Sequence, residues 1–295
     1  MTSQPRPAIA IAAAAVAGAA GRWYENKFQE SPRAKRADMT DVLLQEDTDG
    51  VRVLTLNRPG ARNALSTELA TALHAALSGA AADEEVRVLV LTGADPAFCA
   101  GIDLKEAARD GDAYFQRAGT ADCIAQVGSM AKPVIGAVNG ATFTGGLELA
   151  LGCDFLIASD RAIFADTHAR VGILPRGGMT ARLPLVVGGA QARRMSMTGQ
   201  VIDAATAERI GLVTEVVPHD RLMARVMDCA RAIAEVPPDT VRGLKEMYVA
   251  QAAVAAGLAA EREIARRHVP DWAGLEKRRL DVMARNRAQI GGGQA

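Results

Sequence analysis

The chain has 295 residues, 49% hydrophobic and 23% charged, enough for a substantial buried α/β core under a charged surface. Lys plus Arg and Asp plus Glu balance at 34 each, and the 4% of aromatic residues form no base-stacking run, so no nucleic acid or anionic membrane is expected as a partner. Cys99, Cys123, Cys153 and Cys229 make no C-x-x-C pair, and His74, His168, His219 and His268 lack the close pairing of metal motifs. Neither a disulfide framework nor a metal site is expected, and a reducing cytoplasm fits best.

Residues 8–20 are an almost unbroken Ala/Ile/Val stretch, followed by a basic segment with Arg33, Lys35 and Arg36. About 13 apolar residues fall short of the roughly 20 that span a bilayer, so no stable membrane insertion is expected. Arg6 alone supplies the charge of a would-be targeting n-region. Residues 1–38 read as an N-terminal extension, either disordered or lying ahead of a native start at Met39.

From residue 42 the chain alternates strand and helix signals. Residues 51–56 (VRVLTL) predict a strand and Asn57-Arg58-Pro59-Gly60 a turn. Ser66 caps a helix in which Leu65, Leu69, Leu73 and Leu77 share one face. Residues 86–91 predict the next strand, 112–130 a helix, 133–138 a buried strand, 146–151 a helix and 154–158 another strand. This recurring order points to an α/β core of mainly parallel strands over 39–235. The signals beyond residue 222 are helical, notably 241–256 and 261–287, which makes 236–295 a helical C-terminal region.

Two glycine-containing turns carry the chemistry. One is Phe98-Cys99-Ala100-Gly101-Ile102-Asp103, after a strand. The other runs from Asn139-Gly140 to Gly145-Gly146-Leu147-Glu148, between a strand and a helix. Gly145 and Gly146 allow close backbone approach and expose N–H groups where a helix begins. Glu148, three residues on, then lies on the same helical face. A carboxylate beside an anion-stabilising corner suits proton transfer next to a carbonyl that gains charge. The spacing alone also suits simple dipole chemistry at a helix start.

The segments Asn57-Arg58-Pro59 through Asn63-Ala64-Leu65, Phe98 through Leu104, and Val138-Asn139-Gly140 through Gly145-Gly146-Leu147-Glu148-Leu149-Ala150, followed by Cys153-Asp154 and Phe164, resemble the motifs of the enoyl-CoA hydratase/isomerase (crotonase) family, in the family's order. The resemblance covers nearly everything but the extension. It implies a crotonase-like spiral of ββα units with a helical C-terminal subdomain, associating as a homotrimer or homohexamer. It further implies an acyl-CoA thioester substrate, no separate cofactor, and an oxyanion hole from the N–H groups of Ile102 and Gly145. Glu148 would be a catalytic glutamate. Backbone around Ala64, Ala100 and Ile102 would hold coenzyme A, with Arg58 or Lys105 meeting its phosphates.

One departure matters. Where hydratases carry a second glutamate, the ungapped match puts His168, with Asp166 close by but out of register. The following loop reads Pro175-Arg176-Gly177-Gly178, with a bulky cation where the family often has a small residue. Imidazole, with an unperturbed pKa of about 6.5, can exchange a proton near neutrality, so His168 is a candidate for the missing role. Lining the pocket is the other reading of His168. The expected activity is an enoyl-CoA hydratase. A Δ3,Δ2-enoyl-CoA isomerase using Glu148 alone and an acyl-CoA-binding homologue with little turnover are the alternatives. Asp103 is expected to cap a helix, and Cys99 and Cys153 to be small core residues.

Overall fold

The computed structural model describes residues 42–117, 120–251 and 254–291, so the expectations for residues 1–38 fall outside it. The first element is a hairpin of β1 (Leu43–Thr48) and β2 (Val51–Leu56), closed by a tight turn at Asp49-Gly50. The turn after β2 holds Arg62 and Asn63 in left-handed backbone. Asn63 secures it by donating from Nδ2 to Ala94 O (2.8 Å) and Ala97 O (2.6 Å) and accepting from Arg58 N (2.9 Å). Helix α1 (Thr67–Ala82) follows, with the Ser66 hydroxyl accepting from Leu69 N–H. Leu65, Leu69, Leu73 and Leu77 are all buried, as their four-residue spacing predicts.

The chain then repeats one device. A strand in a large sheet leads to a short strand in a small sheet and then to a helix. The first round is β3 (Val88–Gly93), β4 (Ala97–Cys99) and α2 (Leu104–Asp110), extended by α3 (Asp112–Gln116) and α4 (Thr120–Val127). The second is β5 (Val134–Val138), β6 (Ala141–Phe143) and α5 (Gly145–Leu151). The third is β7 (Phe155–Ser159), β8 (Ile163–Ala165) and the single turn α6 (His168–Val171). Helices α7 (Met179–Val187) and α8 (Gly189–Thr198), strand β9 (Ile202–Asp203), helix α9 (Ala204–Arg209) and strand β10 (Glu215–Val217) complete the sheets. Helices α10 (Leu222–Ala234), α11 (Pro238–Gln251), α12 (Val254–Arg267) and α13 (Leu275–Gly291) end the described chain.

The large sheet has the order β1-β2-β3-β5-β7-β10, parallel except for β1, and the small one the order β4-β6-β8-β9, parallel except for β9. Alternation within β3 assigns its two faces. Leu89 and Leu91 join the main core beneath α1 and α5, while Val88 and Val90 meet Val226, Met227 and Ala230 of α10. With both faces covered, strands such as β3 and β5 are buried throughout and mostly apolar, as parallel strands require.

Two sequence-based expectations change. The stretch 112–130 is not one helix, because Arg117 turns to extended backbone (ψ 133°) after α3. The stretch 261–287 is interrupted between α12 and α13. Pro270 stands in the gap, where its missing N–H and its clash with the preceding residue prevent helix. Among the described residues no helix is long and apolar enough to cross a membrane.

Candidate active site

Three parallel neighbours in the small sheet assemble the site. Strand β6 pairs with β4 on one side and β8 on the other, so the residues leaving the carboxyl ends of all three emerge side by side. Those residues are Gly101-Ile102 after β4, Thr144-Gly145 after β6 and Asp166-Thr167-His168 after β8. Parallel sheets place ligands at this end of their strands, where loops and helix starts converge.

The first turn approaches the second closely. Gly101 has φ +97°, and a methyl there would lie 2.9 Å from Phe143 O and 3.1 Å from Gly145 N, so only glycine fits. A methyl built on Gly145 would lie 3.4 Å from Ile102 N, so the two residues are close neighbours. Neither backbone N–H donates to an acceptor among the described residues. Thr144 holds this arrangement at a backbone cost. Its φ of +54° and ψ of −116° are rare for a β-branched residue. The strain is held by Thr144 N–H donating to Ala165 O (2.9 Å) and by a hydroxyl bond to Thr167 (2.8 Å).

Glu148 follows one turn into α5 and is buried. Its Oε1 accepts from Gly177 N (2.7 Å) and Met179 N (3.2 Å) in the loop before α7. Its Oε2 lies 3.7 Å from Nε2 of His168, also buried. The other imidazole nitrogen, Nδ1, is 2.7 Å from Asp166 Oδ1, which also accepts the His168 backbone N–H at 3.2 Å. Glu148, His168 and Asp166 thus line up as acid, imidazole and acid, hydrogen-bonded on the Asp166 side and within ion-pair range on the Glu148 side. Beside it, buried Glu261 of α12 accepts from Gly178 N (2.6 Å), Thr180 N (2.7 Å) and Thr180 Oγ1 (2.6 Å). Arg182 donates to Gly177 O at 2.8 Å.

The electrostatics follow from burial and this crowding of carboxylates. Burial pushes Glu148 above the usual carboxylate range, opposed by the His168 charge and by the two N–H donors. Burial alone would depress His168, but the bond to Asp166, with the charges of Asp166, Glu148 and Glu261, lifts it above the ordinary imidazole value. Asp166 is depressed: the cost of its burial is outweighed by its bond to His168. Cys99 and Cys153 are driven up to about 12 by burial, which makes them packing thiols rather than nucleophiles.

The Enoyl-CoA hydratase/isomerase family model matches residues 46–273. The chain belongs to this family. It is 42% identical over 201 residues to a probable enoyl-CoA hydratase of Rhizobium meliloti, covering 66% of this chain and 76% of that one. It is 35% identical over 208 residues to "Probable enoyl-CoA hydratase 1, peroxisomal" of Arabidopsis thaliana, covering 70% of this chain and 77% of that one. The crystal structure of an enoyl-CoA hydratase from Mycobacterium tuberculosis superposes with a TM-score of 0.69 at 50% identity, over 77% of this chain and 99% of that one. The ββα spiral is therefore the crotonase fold.

Within this enoyl-CoA hydratase/isomerase family member, the residues singled out in the sequence fall into two groups. Ile102, Gly145, Glu148 and His168 come together as described. Ala64, Ala100 and Arg58 lie along the adjoining edge. Leu65 N donates to Gly101 O (2.8 Å), Asp103 N to Leu65 O (3.1 Å) and Ala100 N to Arg62 O (3.0 Å). Arg58 Nη1 donates to Ala64 O (2.6 Å) and to Asp103 Oδ2 (3.0 Å), so its charge is already partnered. Asp103 also caps α2, its Oδ1 accepting from Lys105 and Glu106 N–H, while Lys105 itself is exposed. The structure adds Glu261 and shows what Asp166 and Arg176, already noted in the sequence, contact. Asp166, out of register with the family's second glutamate, instead bonds His168 two residues on. Glu261 gave no signal, because it arrives from a helix over 80 positions downstream.

Proposed function

We propose that this chain is an enoyl-CoA hydratase, adding water to the double bond of a 2-enoyl-CoA thioester. The observation that carries this reading is the buried pair of Glu148 and His168, 3.7 Å apart, beside the two undedicated N–H groups of Ile102 and Gly145. Adding water takes two proton movements, one off the water and one onto the α carbon. Glu148, as carboxylate, takes a proton from water as its oxygen bonds to the β carbon. The thioester oxygen gathers the resulting negative charge and receives hydrogen bonds from Ile102 and Gly145 N–H. His168, as imidazolium, gives its Nε2 proton to the α carbon. The proton on Glu148 then crosses to Nε2 and restores the starting state.

The imidazole is assigned as the acid of the pair because its bond to Asp166 favours the protonated ring. An isomerase needs only one shuttling base, and the second buried proton carrier favours hydration over that alternative. The substrate is an acyl-CoA thioester, with coenzyme A along Ala64, Ala100 and Ile102 and its phosphates toward Arg58 and Lys105. The reaction consumes only thioester and water and calls for no cofactor. The site residues are equally those an acyl-CoA-binding homologue would keep, so turnover decides.

We read the assembly as a homotrimer or homohexamer, supported by the exposed apolar stripe Leu244, Met247 and Tyr248 on α11. We retain the cytoplasm as compartment, on the thiol state of Cys99, Cys153 and Cys229.

The test is hydration of crotonyl-CoA by the purified protein, followed by loss of the conjugated enoyl absorbance. Glu148→Gln and His168→Ala are each expected to lower kcat about 10²- to 10⁴-fold while coenzyme A esters still bind. No turnover by the unsubstituted protein would overturn the hydratase reading in favour of a binding protein.

A further inference from the structure

Hydration of a simple enoyl thioester leaves Arg176 unused. Its backbone precedes Gly177, whose N–H holds Glu148 Oε1 at 2.7 Å. Its guanidinium carbon stands 4.6 Å from the centroid of the Phe115 ring. Phe115 in turn packs on Trp272, at 5.8 Å between centroids, and both belong to the apolar cluster against which Ile102 lies. The cation therefore stands over the aromatic pair on the cluster that Ile102 also packs against, while its backbone adjoins the loop that holds Glu148.

One of its donors lacks a partner, although the side chain as a whole is half-buried. Nε is enclosed and has no hydrogen-bond partner, and no carboxylate among the described residues lies within ion-pair distance. Asp112 acts on it only through space, and burial depresses its pKa. The other arginines of the site are partnered, Arg182 by Gly177 O and Arg58 by Asp103. An enclosed donor on a cation is costly unless a ligand completes it, and a guanidinium is best completed by a carboxylate. Arg176 directly precedes Gly177 in the chain, so its backbone adjoins the loop that holds Glu148.

We propose that Arg176 is a specificity residue that receives a carboxylate at the far end of the acyl chain, so that dicarboxylic 2-enoyl-CoA thioesters are the preferred substrates. The inference rests on the hydratase reading of the same site.

The experiment compares kcat/KM for 2-hexenedioyl-CoA and 2-hexenoyl-CoA in the unsubstituted protein, Arg176→Lys and Arg176→Gln. Binding of the saturated pair, adipoyl-CoA and hexanoyl-CoA, is measured by calorimetry on the same proteins. The unsubstituted protein should favour the dicarboxylic ester by about ten- to a hundredfold in both measurements, the worth of a charge-assisted contact. Arg176→Gln should bring the ratio near one, and Arg176→Lys should keep part of it. A ratio near one in the unsubstituted protein overturns the proposal. So does a ratio that survives Arg176→Gln, or an equal loss for both esters, which would assign Arg176 to a coenzyme A phosphate. If neither enoyl ester turns over, the hydratase reading fails and the adipoyl/hexanoyl binding ratio alone judges Arg176. If Arg176→Gln does not fold, the unsubstituted ratio and Arg176→Lys decide.

Discussion

Replacing Asp166 with Asn should move the alkaline limb of the pH profile to lower pH. The substitution keeps an oxygen that can accept from His168 Nδ1, now 2.7 Å away, and from its backbone N–H at 3.2 Å, and removes only the charge. A hydrogen bond to a charged acceptor contributes about 1.5–3 kcal/mol and one to a neutral acceptor about 0.5–1.5 kcal/mol. The difference of roughly 1–1.5 kcal/mol, with the lost Coulomb attraction added, corresponds to about one to two pKa units at 1.36 kcal/mol each. The sign is fixed because the Asp166 carboxylate stabilises the imidazolium, so its removal lowers the His168 pKa. Glu148 and Glu261, the other carboxylates facing the ring, and Arg182 beyond them, are unchanged. Since His168 must be protonated to deliver its proton, kcat/KM for crotonyl-CoA should fall off at a pH about one to two units lower than in the parent. An NMR titration of the His168 ring should show the same displacement without substrate. The stability gap between parent and variant should be greatest between about pH 4 and 6.5, where both folded groups are charged. It should narrow as pH rises through the elevated folded pKa of His168. An alkaline limb that stays put or moves upward in a folded variant would refute the Asp166–His168 coupling.

Adjacent glycines should respond in opposite ways. Gly145→Ala sets a methyl 3.4 Å from Ile102 N, an ordinary contact, so kcat should drop about 10²- to 10³-fold with no fall in melting temperature. Gly146→Ala would put its methyl 2.1 Å from Cys99 O, and calorimetry should show a loss of at least about 1–3 kcal/mol. Glu261→Gln must turn an amide nitrogen toward either Gly178 N–H or the Thr180 donors, so urea titration should register a loss of about 1–3 kcal/mol. Leu244 and Tyr248 are 54% and 71% exposed on α11, and light scattering should find Leu244→Glu/Tyr248→Glu in a smaller assembly than the parent.

The amino-acid sequence by itself determined the local structure. Apolar runs of strand length, the Ser66 and Asp103 caps, the four-residue leucine spacing of α1 and the glycines at 101 and 145 depend on neighbours within a few positions, so short-range pattern is enough to read them. The family motifs located Ile102, Gly145, Glu148 and His168, but not what His168 does. Its surroundings come from tertiary structure. Pairing of β4, β6 and β8 in parallel brings their carboxyl ends into one place, and only then does Glu148 come to lie 3.7 Å from His168. The bond to Asp166 raises the His168 pKa against the cost of burial, and burial gives these interactions their weight, since the same groups in water would titrate almost independently. Glu261 and the unpartnered Arg176 reach the site from a distant helix and through burial against Phe115. Charge compensation and exclusion of water are properties of the packed interior, and no linear spacing encodes them.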